Sequence, residues 1–226
     1  MPGHLVAGSA APGVSSTGVF YFDLASPRAY FAAERVLHVL PAPARWQPIL
    51  AARLGSADRF DGWRRGSEAE AFREEAERRA GELGLQALRW PEPFPFDSEA
   101  AMRAATYAAS IGRAVPFAQA AFRQAFAGGH SLADADYVLI AAAACEMHPA
   151  AVLRAAELRS IAERLAQTSA EAARAGVTEV PALVVGAHTF AGADAVERAA
   201  EHMRGEHEQG CGHGAGAPAE LQGGAA

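Results

Sequence analysis

Val19-Phe20-Tyr21-Phe22-Asp23-Leu24 is an aromatic, β-prone run that is apolar on both faces, and Ser26-Pro27 follows it almost at once. A strand of that kind must be covered on both sides, so it belongs in the interior of a sheet. Serine is favoured at a helix N-cap and proline at the first helical position, so the chain turns from this strand directly into a helix. The helix reads as Arg28 to Leu40, with Tyr30, Phe31, Ala33 and Leu37 as apolar positions. Pro41-Ala42-Pro43 ends it, and Arg45 to Leu50 reads as a second strand, so the chain opens with a β–α–β unit.

A complementary pattern lies near the other end. Val180-Pro181-Ala182-Leu183-Val184-Val185 reads as a strand, Gly186-Ala187 as a tight turn and His188-Thr189-Phe190 as the returning strand. Asp194 is placed to cap a last helix from Ala195 to Met203. Proline inside a strand cannot donate to the ladder. Pro181 therefore marks an edge or a bulge, or else a cis-proline turn that leaves the backbone of Val180 free to pair with an extended ligand.

Between these halves the pattern is helical. Ser67-x-x-Glu70 is a capping box for a helix to Leu83 that Gly84 ends, and three prolines keep Trp90 to Phe96 extended. Asp97-Ser98 caps a helix carrying Met102, Ala105 and Ala109. Pro116 begins another, with Phe122 and Phe126 four apart, that stops at Gly128-Gly129. Helices near 134–147, 150–157 and 158–175 follow, and Gly176 closes the last. Sheet elements at both ends around a helical block give an α/β fold with a helical insertion.

The net charge of −6 disfavours nucleic acid and anionic membranes as partners. No stretch approaches the roughly 20 apolar residues of a membrane span. Residues 1–17 do not read as a signal peptide and are expected to be disordered, as is the Gly-rich segment 206–226. Cys145 and Cys211 are far apart and form no C-x-x-C, so a reducing, cytoplasmic setting is expected.

Three features can carry chemistry. Ser26 is by position an N-cap, but a helix start also stabilises anions, and a hydroxyl there can donate to a thiolate. With no neighbouring base and no G-x-S-x-G, it does not read as an acylating nucleophile. Asp194 is a cap, or a carboxylate for the ammonium group of a peptide-like ligand. His207, Cys211 and His213 lie in a glycine-rich tail, and Cys145 with His148 supplies too few ligands for structural zinc, so no metal site is expected. The carboxylates from Glu68 to Glu77 read as a solvated helix face.

Together these pieces resemble the DsbA-like superfamily, in its branch of 2-hydroxychromene-2-carboxylate isomerases and kappa-class glutathione transferases. Phe20 to Pro27 is similar to that branch's F-Y-F-D-x-x-S-P, Gly176 to Gly186 to its G-V-x-x-V-P-x-x-V-V-G, and Gly192-Ala193-Asp194 to a G-x-D step. The likeness spans residues 18–204. It implies a thioredoxin-like fold with a helical domain inserted between the β–α–β half and the β–β–α half. The thioredoxin-like domain would comprise 18–62 and 176–205, and the insertion 63–175. It also implies a cis bond before Pro181 and glutathione, or another low-molecular-weight thiol, as cofactor. Ser26 would be the catalytic serine that hydrogen-bonds the sulfur. Val180 and Pro181 would meet the cysteinyl part, and Ala193 and Asp194 the γ-glutamyl end. The implied reaction is cis/trans isomerisation of a small aromatic substrate through reversible thiolate addition, in a protein for which a homodimer is allowed. A kappa-like transferase and a redox-inactive thiol- or peptide-binding protein are the alternatives. The chain departs from the branch at Asp97, where asparagine is usual, at Ala182 and Ala195, and in having no lysine. Ser26-Pro27-Arg28-Ala29 replaces the C-x-x-C of redox relatives and removes both sulfurs needed for dithiol exchange.

Overall fold

β1 (Val19–Phe22) is the hub of a four-stranded sheet of order β2-β1-β3-β4. It runs parallel to β2 (Arg45–Pro48) and antiparallel to β3 (Ala182–Val185), which pairs antiparallel with β4 (His188–Ala191). The computed structural model describes residues 17–55 and 66–212, apart from the side chains of Ser67 and of 207–212. Alternation along β1 sends Phe20 and Phe22 to one face and Tyr21 to the other, and all three are buried. Phe20 and Phe22 pack on Trp46, with ring centroids 4.9 and 5.9 Å apart, whereas Tyr21 joins Ile49, Ala172 and Val177. The strand is covered on both sides, as its composition requires.

α1 (Pro27–Val39) follows β1 and lies against α8 (Ala195–Gly212). Between β2 and β3 the chain forms α2 (Gly66–Glu82), α3 (Glu99–Ser110), α4 (Ala114–Phe126), α5 (Ala135–Ala143), α6 (Pro149–Glu157) and α7 (Arg159–Arg174). The helical block is joined to the sheet through α4, on which Phe122 meets Phe22 at 5.9 Å and Phe126 meets Tyr30 at 5.7 Å. Trp90 and Phe94, from the proline-rich segment, close over Phe126. α7 is fastened on the other face, where buried Ser169 accepts a hydrogen bond from Leu50 N–H at 2.9 Å and donates to the Leu165 carbonyl.

Several boundaries differ from the sequence reading for identifiable reasons. α8 does not stop at Met203 but runs to Gly212, so part of the segment expected to be disordered is helical. Gly205 and Gly210 inside the helix cost only about 1 kcal/mol of helix propensity each, and Glu206 to Gln209 between them contain no breaker; residues 213–226 lie outside the described part. α4 starts at Ala114, with Pro116 accommodated in the first turn, where the missing N–H has no intrahelical acceptor. At α3 the Ser98 side chain makes no cap bond; Asp97 instead accepts from Glu99 N–H at 2.9 Å. α5 ends at Ala143 rather than 147, and Glu146 takes a left-handed φ of 59° just beyond it. Strand β3 begins at Ala182, leaving Val180 and Pro181 ahead of the ladder, and β2 ends at Pro48 before a 3₁₀ turn at Ala51–Arg53. Gly176, at φ 81°, ends α7 where the sequence placed it, in a conformation that favours glycine. The Ser67 half of the expected capping box lies outside the described side chains. No helix among the described residues is long and apolar enough to cross a membrane.

Candidate functional site at the start of α1

The turn from β1 into α1 is held by Asp23. Its carboxylate is buried and accepts from Ala25 N–H at 3.0 Å and from Ala51 N–H at 2.8 Å, while its main-chain carbonyl accepts from Ser26 N–H at 3.0 Å. That fixes Ser26 in extended backbone as the N-cap of α1. Ser26 is itself buried, and its Oγ accepts from Ala29 N–H at 3.1 Å.

This arrangement decides which groups are left over. The Ser26 oxygen is engaged as an acceptor, so its proton is available to donate. Pro27 has no N–H. The Arg28 N–H has no acceptor among the described residues, and α1 carries no acidic residue in its first turn. Two donors and an uncompensated helix dipole therefore meet at one point, an environment suited to an anion.

The other residues singled out in the sequence come to the same neighbourhood. The Val180-Pro181 peptide is cis. Val180 is buried, and its backbone N–H and C=O have no hydrogen-bond partner among the described residues. The Pro181 carbonyl accepts from Gly192 N–H at 3.0 Å, which ties this step to Gly192-Ala193-Asp194. Gly192 has a φ of 92°, which strains any residue with a side chain, and a Cβ there would stand 3.0 Å from Glu179 Oε1, so that carboxylate would also have to shift. Glu179 in turn meets Arg28 at 3.6 Å, joining the loop before Pro181 to the start of α1.

Ala193 and Asp194 are exposed and, with Arg28, line a crevice of about 270 Å³ between α1, α2 and the start of α8. The Asp194 carbonyl accepts the first helical bond of α8 from Arg198 N–H, the N-cap position the sequence indicated. Its carboxylate faces Arg79 at 3.6 Å. Asp97 does not belong to this crevice; it lies at the start of α3, on a different groove. His148 caps α6 through Nδ1, accepting from Ala150 N–H at 3.2 Å, and Cys145 is a buried free thiol whose pKa is raised by burial. The side chains of His207, Cys211 and His213 lie outside the described residues, and among those described no group of three His, Cys, Asp or Glu side chains could hold a metal.

Asp23 and Arg28 are contributors that sequence reasoning passed over. Asp23 stands in the opening motif, but its partner Ala51 is not local. Arg28 was visible only as the third residue of Ser26-Pro27-Arg28-Ala29.

Residues 19–204 match the family model of the DSBA-like thioredoxin domain. The chain belongs to that family. No curated protein sequence matches this DSBA-like chain. Among solved structures it is similar to a 2-hydroxychromene-2-carboxylate isomerase, with a TM-score of 0.75 at 17% identity over 88% of this chain and 100% of that one. A probable DsbA oxidoreductase from Streptomyces coelicolor gives a TM-score of 0.70 at 20% identity, covering 91% of this chain and 93% of the other. The cytosolic disulfide reductase DsbM from Pseudomonas aeruginosa, solved with GSH, gives 0.58 at 13% identity, covering 85% and 98%. At these identities the likeness establishes the thioredoxin-like fold with its helical insertion. The DSBA-like domain here carries Ser26-Pro27-Arg28-Ala29 at the helix start, so dithiol exchange has neither sulfur at that position.

Proposed function

We propose that the protein is a thiol-dependent isomerase of the 2-hydroxychromene-2-carboxylate isomerase type, with glutathione as the thiol and Ser26 as the residue that holds its sulfur. The observation that carries this reading is the pair of open donors, Ser26 O–H and Arg28 N–H, at the start of a helix that has no thiol of its own there. The motif resemblance and the fold support it, as does binding of GSH by one structural neighbour. Val180 would pair by its backbone with the cysteinyl part, and Asp194 would meet the ammonium of the γ-glutamyl end.

The energetics suffice. A free thiol has a pKa of about 8.5. A charge-assisted hydrogen bond contributes roughly 1.5–3 kcal/mol and a favourable helix terminus up to about 2 kcal/mol. With about 1.4 kcal/mol per pKa unit, a drop of about two units is within reach, enough to make most of the bound sulfur anionic at neutral pH. In the ring-opened form of the substrate the hemiketal C–O bond has broken to give a phenol and a keto acid. The thiolate adds to the far carbon of the double bond conjugated to that carbonyl, and the displaced electron pair forms an enolate. The former double bond rotates as a single bond. The enolate re-forms the double bond and expels the thiolate, so the thiol is regenerated and nothing is oxidised or reduced.

The test compares isomerisation of 2-hydroxychromene-2-carboxylate with and without glutathione, and with Ser26→Ala. The expected result is strong dependence on both. Loss of the cap alone costs about 1 kcal/mol of stability, so unfolding is measured alongside to show that the variant remains folded. Equal rates in the three samples would overturn the reading, and conjugation of chlorodinitrobenzene without isomerisation would replace it with a transferase.

A further inference from the structure

A second cavity, of about 520 Å³, lies in the helical block between α3, α5 and α6, apart from the crevice between α1, α2 and α8. Its size falls within the range of small-molecule sites, and its walls are mainly apolar, with Ala104, Val138, Val152 and Leu153 among them.

The polar groups at this cavity are unequal in charge. Arg103 lines it, and its guanidinium is already bonded to Glu99 and, at 3.3 Å, to the Ala156 carbonyl. Asp97 and Glu157 stand at the same cavity, both exposed, and neither has a cationic partner among the described residues. With Arg103 and Glu99 offsetting each other, the rim carries an excess of two carboxylates. Such a site disfavours an anion and favours a cation attached to an apolar body.

We propose that this cavity binds a small amphiphilic amine: an apolar body among Val138, Val152 and Leu153 and a protonated amine facing Asp97 and Glu157. The site is independent of the reading of Ser26 and holds whether or not the chain is an isomerase.

Propranolol serves as the probe, being an apolar aryl ether that carries a protonated amine, and naphthoxyacetate as its control, with the same ring system ending in a carboxylate. Calorimetric titration of the full chain at neutral pH is expected to show one propranolol site and weaker naphthoxyacetate binding. Ala100→Trp, an exposed position on the α3 wall, fills the cavity and is expected to abolish binding with the unfolding temperature unchanged. Glu157→Arg is expected to weaken propranolol by about threefold, the scale of an exposed ion pair, and to strengthen naphthoxyacetate. Ser26→Ala is expected to bind propranolol as the parent does. Equal or tighter naphthoxyacetate binding, no propranolol binding, or binding unaffected by Ala100→Trp would each overturn the proposal. A dimer weakened by Ala100→Trp, with no amine bound, would instead put a second copy of the chain on this face and overturn it equally.

Discussion

Replacing Asp23 tests whether the turn into α1 is held as described. Both carboxylate oxygens accept from buried backbone amides, Ala25 N–H at 3.0 Å and Ala51 N–H at 2.8 Å, and the side chain is itself buried. Asp23→Ala leaves both amides without an acceptor and without access to water. Each orphaned donor costs about 1–3 kcal/mol, so the substitution is expected to cost roughly 2–6 kcal/mol. Against a total stability of about 5–15 kcal/mol this is a large fraction. Asp23→Asn keeps the shape and one acceptor but sets an amide NH₂ against the other N–H, so its cost falls between parent and alanine. Urea unfolding followed by circular dichroism gives the three free energies, and an unchanged m-value shows that the unfolded state is the same. An alanine variant within about 0.5 kcal/mol of the parent would refute the reasoning, because two buried amides cannot lose their acceptors at so small a cost. An asparagine variant as unstable as alanine would show that the two bonds act only as a pair.

Three further outcomes are expected. Ser26→Cys places a thiol at the start of α1, and its pKa, read from thiolate absorbance, is expected below the ordinary value of about 8.5; a value at or above it would remove the anion-stabilising role of this helix end. Burial raises the pKa values of Tyr21, Tyr30 and Cys145, so the folded state holds these protons after the unfolded chain has released them. Their stabilisation is complete below the ordinary thiol and phenol values and is lost as pH rises past them. The chain has no lysine to titrate in that range, so Tyr30→Phe is expected to flatten the alkaline fall of the urea midpoint. Phe126→Ala removes a fully buried ring that touches Tyr30, Trp90 and Phe94, and is expected to cost about 3–5 kcal/mol by the same unfolding assay.

What the sequence disclosed was what short segments settle among themselves. Ser26-Pro27 is a capping signal complete within two residues, and the double-sided apolarity of Phe20 to Phe22 left an interior strand as its reading. Phe122 and Phe126 were visible as one helix face, though not that this face would join the helical block to β1 and α1. At α3 the sequence offered Asp97 and Ser98 together as the cap, and only the backbone geometry at Ser98 makes Asp97 the one that accepts. Asp23 to Ala51, Arg28 to Glu179 and Arg79 to Asp194 join residues far apart in the chain, and no local pattern announces such pairs. The far end of α8 was missed because glycine-rich composition was weighed above the tolerance of a helix for isolated interior glycines.

The register of β1 with β3 sets Val19 opposite Val184. During synthesis the first strand emerges long before its antiparallel neighbour, with the whole helical block translated in between. Until residue 185 has left the ribosome, Phe20, Tyr21 and Phe22 have only β2 beside them, and one edge of the central strand stays open to any extended chain that meets it. The chain's own later strand must compete for that edge with other nascent chains. Its yield should therefore depend more on the speed of elongation and on chaperones that shield an open β edge than the stability of the finished molecule would suggest.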